Sequence, residues 1–479
     1  LDIDNKTNRI FAALSFLIGP ILFLVISFSN LDLKSDAKYF LAIFSLVGCL
    51  WLFTKVPLFI SGILGVTLAS LFGIVTPVQA FAPFADPIIF LFLGGFLLAK
   101  ALEITELDQR LAFKALGHPW TQKSPERITL VFLALSFVLS MWISNTAAVA
   151  MLLPLSYGII KRLKQRFEID SPAFTEHFLL GLAYCATAGG NVTPIGSPPN
   201  VIAIGHLRNL TNNQIGFVQW MVMALPIGLA IFAFIYWRTI SHLPKTKVSD
   251  RETELGDFKP LNLNQKHVVV IFALTVFCWI FPNLLTIILP ENLEFSKYLV
   301  NNFSAPVVGV FFASLLFLLP LNSPDKILTG THTSQIDWPS LLLFGAGLSL
   351  GKILFDVGLT HYFTESIPQV AGDVGPTILI IIFLFFTIIF TEFASNTASA
   401  NIVIPIMIGL AQEMNLSPLV MAFIFAIACN SAYMLPVATP PNTIVYGTQR
   451  VEKSTMIKTG VLVNILCVAI LGLVVLIFL

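Results

Sequence analysis

SMWISNTAAVAMLLP, residues 140–154, and TEFASNTASANIVIP, residues 391–405, are two copies of one pattern. Each sets a Ser-Asn-Thr triplet in a strongly apolar region: Ser144, Asn145 and Thr146 in the first, Ser395, Asn396 and Thr397 in the second. A run of small polar residues is costly there unless it has partners. Each copy has a proline nine residues past its asparagine, Pro154 and Pro405. A second related pair follows, GSPPN from Gly196 to Asn200 and ATPPN from Ala438 to Asn442.

The copies are in register. Gly94 in FLFLGGFLLAK matches Gly345 in LLLFGAGLSLGK at an offset of 251, as do Ser144 with Ser395 and Pro154 with Pro405. The Pro-Pro-Asn segments, Pro198 to Asn200 and Pro440 to Asn442, match at 242. One constant offset followed by one short deletion marks an internal repeat.

Composition sets the environment. Hydrophobic residues make up 56% of the 479, and charged residues only 11%, where a soluble domain carries about 25% charged residues. Apolar segments recur from end to end, which favours one polytopic membrane domain over several soluble ones. A net charge of +1 gives no footprint for nucleic acid. Cys49, Cys185, Cys278, Cys429 and Cys467 stand singly, without a disulfide or zinc pattern. The first apolar stretch, Ile10 to Phe28, lacks a small-residue cleavage site and reads as a span.

A full span needs roughly 20 mostly apolar residues. Eleven are expected, centred near residues 20, 46, 65, 92, 190, 229, 278, 309, 347, 431 and 468. Regions 128–160 and 375–411 are broken near their middles by the Ser-Asn-Thr motifs. They read as pairs of half-length helices meeting at a polar tip, that is, as re-entrant hairpins. With a cytoplasmic N-terminus, only Lys34, Lys38, Arg208, Lys297 and Lys352 of the 27 basic residues fall outside. That bias favours this topology under the positive-inside rule and puts the C-terminus outside. Lys100 to Arg127 suits an amphipathic helix on the cytoplasmic surface. Ser241 to Lys266 reads as a cytoplasmic linker between halves. Five spans separate the two tips, and an odd number inverts the repeat. Inverted repeats with broken helices mark secondary transporters.

The chemistry fits an ion and substrate site built from the four segments. Ser, Asn and Thr supply neutral oxygens for a hard cation, and broken helices free backbone carbonyls. Helix N-termini at the same tips attract carboxylates. Gly189, Gly190 and Gly196 ahead of Pro198 and Pro199 predict unwinding of the helix near 190. Pro436, Pro440 and Pro441 predict the same near 431. No Arg or Lys stands near these segments, so a bound anion needs another source of positive charge, which Na⁺ would supply. Glu392 fits either a hydrogen-bond acceptor supporting its tip or a proton site. Gly94, Gly95, Gly345 and Gly347 read as packing glycines, and Asp86 beside Pro87 as a helix-start residue.

At these motifs the chain resembles the divalent anion:sodium symporter family, most of all its bacterial sodium-dependent dicarboxylate branch. LFLGGF, SMWISNTA, GSPPN, TEFASNTASA and MLPVATPPN carry the resemblance, which covers nearly the whole chain. It implies an all-α polytopic fold of eleven transmembrane helices plus an inward and an outward hairpin, a homodimer, and an elevator motion. It implies a first Na⁺ site at Ser140, Ser144, Asn145 and Gly196, and a second at Thr391, Ala394, Asn396 and Ala438. Substrate carboxylates would meet Asn145, Thr146, Asn396 and Thr397, with Ser197, Pro198, Thr439 and Pro440 lining the pocket. Thr at both motifs favours a C4-dicarboxylate over citrate. One departure is NVTP, Asn191 to Pro194, where small or apolar residues are expected. It bears on the unwinding and on the first cation site.

The implied organisation has spans and an amphipathic helix over 1–127, mainly scaffold, then an inward hairpin and unwound helix over 128–210. Scaffold spans and the linker occupy 211–374. An outward hairpin and unwound helix follow over 375–446, and a last span over 447–479. The expected activity is import of succinate, malate or fumarate with two or more co-transported Na⁺ across the inner (plasma) membrane. Its rivals are a sodium-independent dicarboxylate exchanger and a citrate, sulfate or arsenite carrier. An enzyme using Ser144 or Thr397 as nucleophile lacks a local His or Lys to activate it.

Overall fold

The computed structural model describes residues 16–211, 213–244, 260–288, 302–320, 326–363 and 375–478, with 294 and 298 besides. Helices dominate these residues, and no strand occurs among them. One device starts many of the helices, a Ser or Asp followed by Pro. Ser124, Ser171 and Ser417 accept the backbone N–H of Arg127, Phe174 and Val420, and Asp86 accepts that of Ile88. Pro125, Pro172, Pro418 and Pro87 then open the helix, where the missing N–H has no partner to lose. Asp86 is thus the helix-start residue that its neighbour Pro87 implied.

Eight helices among the described residues are long and apolar enough to cross a membrane. Six coincide with expected spans: Ser35–Phe53, Pro77–Ile104, Phe217–Ile240, Leu263–Pro282, Trp338–Asp356 and Lys453–Phe478. The stretches near residues 20, 65 and 309 are shorter where described, at Phe16–Phe28, Leu58–Leu71 and Ala305–Leu315. The other two long helices are hairpin arms, Asn145–Phe167 and Pro376–Phe393.

Both motif regions are pairs of helices meeting at the Ser-Asn-Thr triplet. Pro125–Ser140 meets Asn145–Phe167, and Pro376–Phe393 meets Asn396–Glu413. The arms run to 16, 23, 18 and 18 residues, which corrects the half-length arms expected above. Part of the excess is polar. The longest arm ends in KRLKQRF, where basic side chains carry the helix beyond its apolar part.

Two helices break as expected. Pro172–Gly190 gives way to turns and resumes as Pro198–Thr211; Pro418–Asn430 resumes as Pro440–Tyr446. The second break begins at Ser431, ahead of Pro436. Pro198 and Pro440 start the following helices instead of ending the earlier ones, because a first-turn proline is tolerated. Each gap is held by the asparagine after the prolines. Asn200 Nδ2 donates to the Gly190 and Thr193 carbonyls, both at 2.8 Å. Asn442 Nδ2 donates to the Ala432 and Leu435 carbonyls at 3.2 and 3.1 Å. Those acceptors are themselves related by the 242-residue offset, so the repeat extends to individual hydrogen bonds.

The broken helices lie at the centre of the larger apolar core. Pro125–Ser140 and Phe217–Ile240 pack on Pro172–Gly190, and Asn396–Glu413 packs on Pro198–Thr211 and Pro418–Asn430. A smaller cluster joins Ser35–Phe53, Leu58–Leu71 and Trp338–Asp356 through Phe40, Val47, Val66 and Leu350. Helices Pro87–Ile104 and Ala305–Leu315 meet at glycine, where a Cβ on Gly94 would fall 2.6 Å from the Gly309 carbonyl carbon. Val222, Leu229, Phe277, Phe386 and Leu476 are exposed on outer faces, as a lipid-facing surface requires. The expected placement of both termini, most of the linker within Ser241 to Lys266, and Lys297 lie outside the described residues.

Candidate functional site

The two tips and the two Pro-Pro-Asn segments line one cavity of 1210 Å³. All eight residues expected to meet substrate are on its wall: Asn145, Thr146, Ser197, Pro198, Asn396, Thr397, Thr439 and Pro440. Of the residues expected to hold cations, Ser144, Asn145, Gly196, Ala394, Asn396 and Ala438 also line it. Ser140 and Thr391 stand behind the wall, fully buried. The Ser140 hydroxyl donates to Asn145 Oδ1 at 2.5 Å, and the Thr391 hydroxyl to Asn396 Oδ1 at 2.9 Å. The same Thr391 hydroxyl is 2.6 Å from the Cys429 carbonyl, so its one proton is shared.

Helix ends determine the electrostatics. Asn145–Phe167, Pro198–Thr211 and Asn396–Glu413 all begin at this cavity, with the short Pro440–Tyr446 beside them. The first N–H groups of a helix have no intrahelical partner, and the N-terminus carries partial positive charge. At the Pro-Pro starts two N–H groups are missing, so the donors come chiefly from the Ser-Asn-Thr tips. The charged residues on the described wall are Lys100, Glu103, Asp108 and Asp337, with Lys100 paired to Glu103 at 2.8 Å. Burial raises the Asp108 carboxyl above the usual carboxylate range. Among the described residues no three His, Cys, Asp or Glu side chains gather to hold a metal.

Lys100 and Glu103, both on the wall, lie at the C-terminal end of Pro87–Ile104, where the Glu103 side chain is exposed. The N-terminal end of that helix is tied to Pro198–Thr211 through Asp86. Asp86 is ion-paired with Arg208 and accepts the Asn209 amide at 3.1 Å. No histidine is on the described wall, and the Ser144 hydroxyl caps the Ala147 N–H at 3.2 Å, so no activated nucleophile is assembled.

Close approach of backbone explains one glycine. A Cβ on Gly190 would strike the Asn145 amide, so this tip seats against the broken helix only with glycine there. Gly345 and Gly347 are packing positions, against Phe84 and Asn401. Gly94 packs too, whereas Gly95 also reaches the cavity wall.

Three further polar residues support the site; the sequence alone singles out Asn191 and Glu392, and not Asn430. Asn430 is on the wall, and joins the second tip to the first broken helix. Its signal was a lone amide closing the apolar run PLVMAFIFAIACN. Asn191, the odd residue of NVTP, is its buried partner. Glu392 is an acceptor for its own half. Its carboxylate takes the N–H groups of Tyr433, Met434 and Leu435 and the Asn464 amide, at 2.7 to 2.9 Å.

Comparison with known proteins gives a consistent picture. A family model described as "Citrate transporter" matches residues 49–428 and 299–479. The sodium-dependent dicarboxylate transporter SdcS of Staphylococcus saprophyticus is 31% identical over 489 residues, spanning 98% of this chain and 92% of that one. SdcS of Staphylococcus aureus strain NCTC 8325 is 31% identical over 494 residues with the same coverage. An uncharacterized transporter of Haemophilus influenzae is 34% identical over 461 residues, 95% of each chain. Among solved structures, the YdaH transporter of Alcanivorax borkumensis matches with a TM-score of 0.55 at 11% identity, over 97% of this chain and 96% of that one. That likeness is one of fold.

Proposed function

The chain belongs to the divalent anion:sodium symporter family, and on that premise we propose that it imports C4-dicarboxylates such as succinate, malate and fumarate together with Na⁺. It is a transporter and not an enzyme. One observation carries the reading: helix N-termini from both repeats converge on a cavity whose charged wall residues are one lysine and three carboxylates. Such a wall offers donors to an anion but no surplus of fixed positive charge, so mobile cations must balance the substrate.

The tip asparagines fit both partners. On the buried side the amide oxygens of Asn145 and Asn396 accept the Ser140 and Thr391 hydroxyls. A Na⁺ seated beside each pair would have Ser144 and the Gly196 backbone on one side, and the Ala394 and Ala438 backbone on the other. The anion lies between, on Asn145, Thr146, Asn396 and Thr397, with Ser197, Pro198, Thr439 and Pro440 around it. Two Na⁺ neutralise a dianion. A third would add about 2.3 kcal/mol of drive per 100 mV of membrane potential.

The hairpins and broken helices, 128–210 and 375–446, form the moving body of an elevator, set against scaffold from the remaining spans in a homodimer of the inner membrane. On the orientation favoured by the basic residues, the Lys100 end of the cavity faces the cytoplasm.

Purified protein in liposomes tests the function. Succinate uptake should require an inward Na⁺ gradient. Uptake that ignores Na⁺ but needs internal dicarboxylate would replace the symporter with an exchanger. Unlabelled citrate or sulfate that competes better than succinate would move the substrate class. Thr397→Val swaps a hydroxyl for a methyl at nearly constant volume. It should raise the succinate KM about tenfold or more, the worth of one hydrogen bond to a charge at about 1.5 kcal/mol or above, with little change in unfolding temperature. An unmoved KM would remove Thr397 from the site.

A further inference from the structure

Asn430 closes the helix Pro418–Asn430 and is 1% exposed. An asparagine side chain has two N–H donors and two acceptor lone pairs, and here all four are engaged. Nδ2 donates to Asn191 Oδ1 at 2.7 Å and to the Thr187 carbonyl at 3.3 Å. Oδ1 accepts the Asn396 amide and the Ser197 hydroxyl, both at 2.9 Å. A carbonyl only accepts, so Thr187 sets which end of the Asn430 amide faces which neighbour. Asn430 then orients Asn396, whose nitrogen turns to Asn430 while its oxygen turns to Thr391. The second N–H of Asn396 is left for the cavity.

The first repeat has no counterpart. Position 188, one repeat offset before 430, is alanine. Asn145 is held on its oxygen by Ser140, and Ala188 has no amide with which to hold its nitrogen. The two tips therefore match in sequence and differ in rigidity. Asn430 itself has every donor and acceptor engaged, which fixes the group it holds, and a pre-aligned donor binds more tightly than one that must first be ordered.

We infer that Asn430, backed by Asn191, is a positioning residue for the anion: it aims the remaining Asn396 N–H, so that one carboxylate meets a fixed donor and the other meets the freer Asn145. This inference rests on the function proposed above. Asn430 has no hydrogen-bonding capacity left for the substrate, so it acts through Asn396. The side-chain oxygen of Asn191 is hydrogen-bonded to Asn430, through which it acts.

The test is a two-residue cycle in liposomes, reading KM and maximal rate for Na⁺-driven succinate uptake. Asn430→Ala should raise KM about tenfold, and Asn191→Ala about threefold, with maximal rates within about twofold of wild type. The double variant should match Asn430→Ala alone, because the two residues act in series. A merely structural role would lower the maximal rate and the unfolding temperature and leave KM in place. That pattern overturns the inference, as do single effects that multiply in the double variant. If Asn430→Ala does not fold, Asn191→Ala decides alone, and an unmoved KM counts against the proposal. Wild-type protein that takes up no succinate refutes the function instead, and the same variants are then compared on citrate uptake by the same ratio.

Discussion

Uptake should fall about a hundredfold or more in Asn396→Ala, and likewise in Asn145→Ala, while both proteins still fold and reach the membrane. The asparagine amides are half-buried groups on a cavity wall, so truncation opens no large void in the core. The loss falls on the cargo. Each amide places its oxygen beside a buried hydroxyl, Ser140 or Thr391, and its nitrogen where an anion would lie. On the proposed binding mode, alanine would remove the cation's oxygen and the anion's donor together. A hydrogen bond to a charged group is worth about 1.5–3 kcal/mol, and 1.4 kcal/mol is tenfold. Losing one such contact to each cargo thus reaches a hundredfold. The measurement is Na⁺-driven succinate uptake in liposomes, beside yield and unfolding temperature. Normal uptake by either variant would end the idea of a site shared between the tips.

Much of this site was legible because the repeat is written in residues that are costly in an apolar setting. The Ser-Asn-Thr triplets and the Pro-Pro-Asn segments had to find partners, and all four line the same cavity. The breaks near 190 and 431 were legible for the same reason, from glycines and prolines in otherwise apolar helices. The job of Asn200 and Asn442 was not, since it depends on where freed carbonyls come to rest. Arm lengths were misjudged because a helix carries on through KRLKQRF whether or not lipid surrounds it.

Repeat logic also hides differences. Trp142 and Phe393 are equivalent by the 251 offset. Both line the cavity, but Trp142 stacks against Trp279 and Phe217, whereas Phe393 is 74% exposed. Asn430 against Ala188 is a second such pair. Sequence repeats share their own turns but not their neighbours, and neighbours come from the rest of the chain.

Glu392→Ala should abolish recovery of folded protein, a larger effect on stability than any change at the tips. Glu392 is 1% exposed and accepts from four donors. Three are consecutive backbone N–H groups, Tyr433 to Leu435, in the stretch where the second broken helix is unwound. Unwinding deprives those N–H groups of helical partners, and the carboxylate replaces them. An orphaned buried donor costs about 1–3 kcal/mol, so losing the acceptor for four of them rivals a domain's whole stability of about 5–15 kcal/mol. Glu392→Gln is the informative companion. It keeps one oxygen but turns an NH₂ toward a group that also donates, which costs about 2 kcal/mol. That variant should fold with a lowered unfolding temperature and an uptake pH profile of wild-type shape. All four neighbours of Glu392 donate to it, as an acceptor that braces the unwound segment requires. A Glu392→Gln protein of wild-type stability that had lost a pH dependence of uptake would make this residue a proton carrier instead.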